Sequence, residues 1–221
     1  MDRRVLLQRL GVAGLLSAGG VAGFLQRALA AGVDPVPPGL HKFSGTVTVN
    51  GQPARPGQLI RPGDTVATGA DGEAIFVIGQ DAFLQRSGST VSFGNTAANF
   101  MRVVTGRLLS VFGKGERQLH FSTATIGIRG TACYIEEGMK RETYFCLCYG
   151  SALVTPTAAP HEAETLTTRH HDHPLWISDD IKMPSMMVTA PVVNHTDAEL
   201  TLLENLVGRW PPFYGNNDYR Y

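Results

Sequence analysis

Between Gly45 and Pro156 the apolar residues come in short runs, some alternating with polar positions and some uninterrupted, and none at helical spacing. The runs are EAIFVI at 73–78, DAFLQR at 81–86, STVSF at 89–93, MRVVTG at 101–106, RLLSVF at 107–112, RQLHFST at 117–123, TACYIE at 131–136, TYFCLCYG at 143–150 and SALVTP at 151–156. Glycines separate or bracket many of them, so the pattern predicts many short strands and an all-β domain. Turns this short leave a strand two choices, which are to pair with its sequence neighbour or to coil in rungs. The expected fold is therefore mainly β, a short β-solenoid or β-helix-like body, a barrel or a sandwich.

Local signals place some connections. Asn50-Gly51 tolerates positive φ at both turn positions and predicts a tight hairpin. The stretch from TACYIE to TYFCLCYG predicts a second hairpin, with EEGMKRE as its connection around Gly138; Glu136 and Glu137 beside that turn are expected to be solvated. Beyond Pro156 the chain is polar and Pro-broken until NHTDAELTLLENLVGRWPP, which predicts a helix at about 196–207. Thr196 and Glu199 are spaced for a capping box, and Leu200, Leu203, Leu206 and Val207 share one face. This helix is expected to close one end of the β domain over an unpaired edge.

The N-terminus changes the picture. Arg3-Arg4, an apolar segment from Leu10 to Leu25 thinned by five glycines, and Ala28-Leu29-Ala30 follow the order of a secretory leader, and RRVLL resembles the twin-arginine type. The segment is too short for a spanning helix, so residues 1–30 read as a signal peptide and 31–44 as a Pro- and Gly-rich linker. The expected layout continues with a β domain at 45–155 and a C-terminal extension at 156–221. Residues 31–221 carry 15 basic and 18 acidic side chains, a balance that offers nucleic acid no basic patch. Periplasmic location without membrane insertion after cleavage follows as an expectation.

Four runs carry a family resemblance: Pro-Gly-Asp at 62–64, Thr-Gly-x-x-Gly-x-Ala at 68–74, Gly-Arg-Leu-Leu at 106–109 and Thr-Ala-x-x-Gly-Ile-Arg-Gly-Thr at 123–131. In this order they resemble the FecR domain family over residues 45–155. The resemblance implies a periplasmic β-rich module, similar to a short β-helix, which in iron-uptake regulators receives a signal from an outer-membrane receptor and passes it to a sigma factor. Those regulators carry an anti-sigma segment and a transmembrane helix ahead of the domain, whereas this sequence shows a leader there. A binding or sensing module with an envelope protein partner is the function implied. In the GIRGT run, Gly127 and Gly130 flank Arg129, which reads as a structural clamp on backbone acceptors or as an anion ligand.

The candidate chemistry lies in three cysteines and a histidine cluster. Cys146 and Cys148 share one face of any regular strand, and the register decides whether Cys133 joins them or faces away. A cross-strand disulfide from Cys133, a metal or redox site, and buried free thiols all fit the spacing. RHHDHP at 169–174 supplies imidazoles; if extended, His171 and His173 share one face and His170 the other. A site of Cys146, Cys148, His170 and His171, with Cys133 and His173 as further donors, would suit zinc or copper. No phosphate-binding loop, Gly-x-Ser-x-Gly elbow or His-Glu-x-x-His pair is present, so binding rather than catalysis is expected.

Overall fold

The computed structural model describes residues 35–139 and 141–215; the leader assigned to 1–30 lies outside the described residues. The first eight strands are β1 (Gly39–Ser44), β2 (Val47–Val49), β3 (Gln52–Pro53), β4 (Thr65–Thr68), β5 (Glu73–Ile78), β6 (Asp81–Gln85), β7 (Thr90–Thr96) and β8 (Asn99–Val111). Then come β9 (Glu116–His120), β10 (Ala124–Arg129), β11 (Ala132–Met139), β12 (Glu142–Pro156), β13 (Glu164–Thr168), β14 (Leu175–Ser178) and β15 (Met187–Thr189), and, among the described residues, a single α-helix, α1 (Asp197–Leu206). The chain is mainly β, as its pattern predicts. Strand β1 takes up residues assigned to the linker, because Gly39–Ser44 finds a partner edge in β5.

MRVVTG and RLLSVF, read as two strands, are one. Strand β8 pairs through its first half with β7 and β9 and through its second half with β6 and β11. Strand β12 does the same, joining β11 and β14 first, then β10 and β13. Each changes partners at a glycine with positive φ, Gly106 at 94° and Gly150 at 99°. The pairings β8–β11–β12–β10–β9–β8 close a ring of five strands. All pairings are antiparallel except β8 with β9, so the solenoid expectation is replaced by a closed barrel with extra strands. A solenoid would stack successive coils in parallel register, whereas the short turns here reverse the chain into sequence neighbours.

Two layers result. One sheet runs β1–β5–β6–β8–β11–β12–β14–β15, and alternation along it sends Phe76, Phe83, Leu108, Ile135, Phe145 and Leu147 inward against Val66, Phe93, Met101, Leu119 and Ile126 of the other layer. Phe76, Phe83 and Phe93 pack ring against ring at 5.1–5.7 Å in that core. The opposite face of the first sheet, with Ile75, Val77, Leu84, Leu109, Tyr134 and Tyr144, is also buried, under Leu200, Leu202, Leu203 and Leu206 of α1. Burial on both faces is why EAIFVI and TYFCLCYG read as unbroken apolar runs. Helix α1 thus lies on a sheet face and does not close an end or an edge. Its capping box is formed, with Glu199 N donating to Thr196 Oγ1 at 3.3 Å and Thr196 N to Glu199 Oε2 at 3.0 Å.

The two predicted hairpins are present. Asn50 and Gly51 adopt φ of 53° and 74° between β2 and β3. Strand β11 runs on past Gly138, so the second connection is shorter than EEGMKRE. Glu136 and Glu137 are buried instead of solvated: Tyr134 and Asn194 donate to Glu136, and Ser122 N and Thr143 Oγ1 to Glu137.

The bend at Gly106 gives a stability test. A Cβ there would sit 2.2 Å from Ser89 Oγ and 2.3 Å from Ser89 Cα, in a backbone region that L-residues avoid. Gly106→Ala is expected to cost roughly 3 kcal/mol or more in urea unfolding. Gly79→Ala, also at positive φ but facing open space, should cost only about 1 kcal/mol. Equal losses at the two positions would refute a packed corner at Gly106.

Candidate metal centre

Strand β12 places Cys146 and Cys148 on the helix-facing side of the first sheet, both fully buried, as period two requires. Cys133 pairs in register with Leu147, so its thiol faces the other core. That register separates it from the pair, and all three cysteines are free, so the disulfide expectation is overturned.

Two imidazoles join the pair. After β13 the chain turns, with His171 at a left-handed φ of 53° and its N–H bonded to Cys148 O at 2.9 Å. The turn buries both His170 and His171 and leaves His173 exposed, so the extended reading that grouped His171 with His173 fails. His171 Nδ1 lies 3.4 Å from Cys146 Sγ. The second imidazole, His195, was not foreseen; it immediately precedes the N-cap of α1 and puts Nε2 3.0 Å from His171 Nδ1. One donor atom each from Cys146, Cys148, His171 and His195 lie within 4.8 Å of one another.

The outer ring nitrogens define the tautomers. His195 Nδ1 is 2.7 Å from Val193 O, which only accepts, so that nitrogen carries the proton. His171 Nε2 is 3.2 Å from Asp197 Oδ1, and His170 Nε2 is 2.8 Å from the same carboxylate oxygen. With the far nitrogens facing Asp197 and Val193 O, the inner nitrogens of His171 and His195 face one another and Cys146 Sγ, an arrangement that a shared cation or a shared proton can bridge. Carbonyl and carboxylate partners on the far nitrogens are the outer contacts that orient imidazoles toward a metal. A tetrahedral ion with bonds of about 2.0 Å to nitrogen and about 2.3 Å to sulfur sets its donors about 3.3–3.8 Å apart; the His171–His195 and Cys146–His171 separations here are 3.0 and 3.4 Å, and all four atoms lie within 4.8 Å. A two-iron cluster with cysteines on one iron and histidines on the other would need the pairs apart, and they share one point.

The electrostatics agree with soft-donor chemistry. The contact from Cys148, with the imidazoles of His171 and His195, holds the Cys146 thiol down at about 4 against the effect of burial. Burial pushes Cys148 and Cys133 up. Burial disfavours charge on His171, but Cys146 and Asp197 outweigh it and raise that imidazole. Cys146, His171 and Asp197 also stand in the order of a thiol-nucleophile triad, with the Cys146 side chain 0% exposed.

The remaining sequence candidates lie elsewhere. Arg129 is exposed and meets the equally exposed Glu116 at 3.5 Å, and among the described residues it clamps no backbone acceptor. With Gly127 it lines a cleft of about 470 Å³, whereas Gly130 borders a separate cleft of about 580 Å³ with Lys114, Arg169 and Arg209.

Comparison with known proteins adds little. No protein-family profile matches the chain, and no curated protein matches it. Two crystal structures of a candidate anti-sigma factor from Parabacteroides distasonis ATCC 8503, at 1.65 and 2.50 Å resolution, are similar over 53% of this chain with a TM-score of 0.45 and 6% identity. The match spans 56% and 55% of those chains respectively, little more than half their length.

Free thiols in this arrangement are countable. A thiol reagent applied in guanidinium with chelator and without reductant should label three cysteines per chain, and none in the native protein. Labelling of a single cysteine after unfolding would restore the disulfide.

Proposed function

We propose that this chain is a metal-binding β module of FecR-like type, exported to the periplasm, that acts by binding and not by catalysis. The convergence of Cys146, Cys148, His171 and His195 on one buried point carries the metal reading. Four protein donors leave no open position for substrate, which suits a holding or structural ion over a catalytic one.

Charge selects between zinc and copper. Two thiolates neutralise Zn²⁺, whereas with Cu⁺ they leave a net negative charge in a buried layer already bordered by Asp197. Zinc is the better occupant. The FecR-like and envelope-sensing part of the reading is supported by the four motif runs. Gly-Arg-Leu-Leu contains the bend of β8, and the Gly-Ile-Arg-Gly-Thr run forms the end of β10 and its connection to β11. Export is supported by the leader-like N-terminus, and an envelope protein is the partner class this reading implies.

Native mass spectrometry with elemental analysis of full-length protein tests the metal assignment. One zinc per chain is expected. Cys146→Ser, Cys148→Ser and His195→Ala should each weaken zinc binding by about 100-fold or more, while Cys133→Ala and His173→Ala leave it unchanged. Affinity should fall as pH drops, since zinc must displace protons from the thiol and imidazole donors. A folded chain that takes up no zinc, or that carries copper instead, overturns the assignment.

A further inference from the structure

The donors of the metal centre come from three separate places in the chain: strand β12, the turn between β13 and β14, and the segment entering α1. The first two belong to the β body, since β12, β13 and β14 are joined in its ladders. His195 does not. After β15 no strand pairing ties the remaining described residues to the body, so α1 is held by side chains and a few isolated backbone bonds.

Those attachments divide between the two ends of the helix. At its C-terminal end Leu206 O accepts from Val36 N at 2.9 Å, Arg209 reaches Gln80 O at 2.8 Å, and Tyr149 OH donates to Glu204. At its N-terminal end Arg86 bonds Asn194 O at 3.2 Å and Glu199 at 2.7 Å, and Tyr144 OH bonds Pro191 O at 2.9 Å. His195 lies in the middle of that second group, stacked on Tyr134 with ring centroids 4.6 Å apart. Its neighbour Asp197, the first residue of α1, holds both His170 and His171.

Resting on the zinc reading above, we propose that the metal centre is a clasp that fastens the C-terminal segment to the β body, so that ion occupancy sets how firmly α1 covers the first sheet. With the ion bound, coordination bonds tie His195 to β12 and to the His171 turn. Without it, the N-terminal end of α1 loses those coordination bonds and keeps its apolar packing, the His195–Tyr134 stack, hydrogen bonds and the ion pairs of Arg86 with Glu199 and of Asp197 with His170 and His171. Segments held in this way are the ones that open locally while the core stays folded. Opening here uncovers Leu84, Leu109, Tyr134 and Tyr144, an apolar and aromatic face that a folded monomer keeps covered. Metal loss in the envelope would thus be converted into a change of surface, an output that a sensing module can use.

Hydrogen exchange read by mass spectrometry on the full chain tests this, with zinc bound and after chelation. Peptides over residues 195–207 should exchange about tenfold or more faster without zinc, peptides over β5 and β11 should change by less than about twofold, and added zinc should restore protection. His195→Ala should give fast helix exchange that zinc no longer slows. Thr196→Ala removes the cap but no ligand, so its helix should be looser and still respond to zinc. If one zinc binds per chain and the helix peptides do not respond, the clasp is wrong and the metal centre stands. If no zinc binds, the reading beneath both is wrong. Global loss of protection in β5 and β11 on chelation would also reject the clasp, since the ion would then hold the whole fold.

Discussion

Two strands pass through both sheets, and the rest of the architecture depends on the corners they turn. At Gly106 and Gly150 the backbone takes positive φ, and a side chain at either corner would run into Ser89 or Thr131. With those corners made, β8 and β12 become shared members of two layers, and β9, β10 and β11 complete the ring between them. The same corner makes the first half of β12 part of a sheet covered on both faces. Cys146 and Cys148 are thereby delivered to the layer between that sheet and α1.

What was legible in the sequence is what rests on local periodicity. Alternation along TYFCLCYG put Cys146 and Cys148 on one face, and the three-residue spacing of Thr196 and Glu199 announced the cap of α1. Pairing partners were not legible, because a solenoid rung and an antiparallel neighbour present the same alternation of side chains. The position of α1 was hidden for a related reason. Its apolar stripe required a surface to cover, and the unbroken run EAIFVI at 73–78 was the available sign that a sheet face, not an edge, was that surface. The burial of Glu136 and Glu137 rests on Asn194, Ser122 and Thr143, partners that no window around the turn contains.

The candidate centre was half visible. Its sulfur pair sits in one strand, but Cys148, His171 and His195 are too far apart in sequence to form a short metal-binding motif. His170 and His171 were assigned to opposite faces on the premise of extended backbone, and the left-handed turn at His171 removes that premise. His195 carried one usable sign: a histidine directly before a strong helix cap is held at a well-defined start, and a fixed start is where a ligand can be positioned.

Why four polar donors occupy a layer otherwise built of Leu84, Leu109, Tyr134 and Tyr144 is the question that ties fold to function. A buried thiol packs much as an apolar group does, but each buried imidazole costs free energy unless its nitrogens are paired, and apolar residues of similar size would fill the same space without that penalty. Hydrogen bonding reaches both sides of these rings, outward to Asp197 and Val193 and inward among His171, His195 and Cys146. The inward nitrogens and the two sulfurs nonetheless converge closely enough for one positive centre of small radius to serve all four. On the zinc reading proposed above, an ion would serve all four atoms together, at the place where the described residues after β15, which add no strand to the sheet beneath, pack onto the body. Selection on the fold alone would favour apolar residues at these positions; selection on a fold that reports an ion would keep the donors.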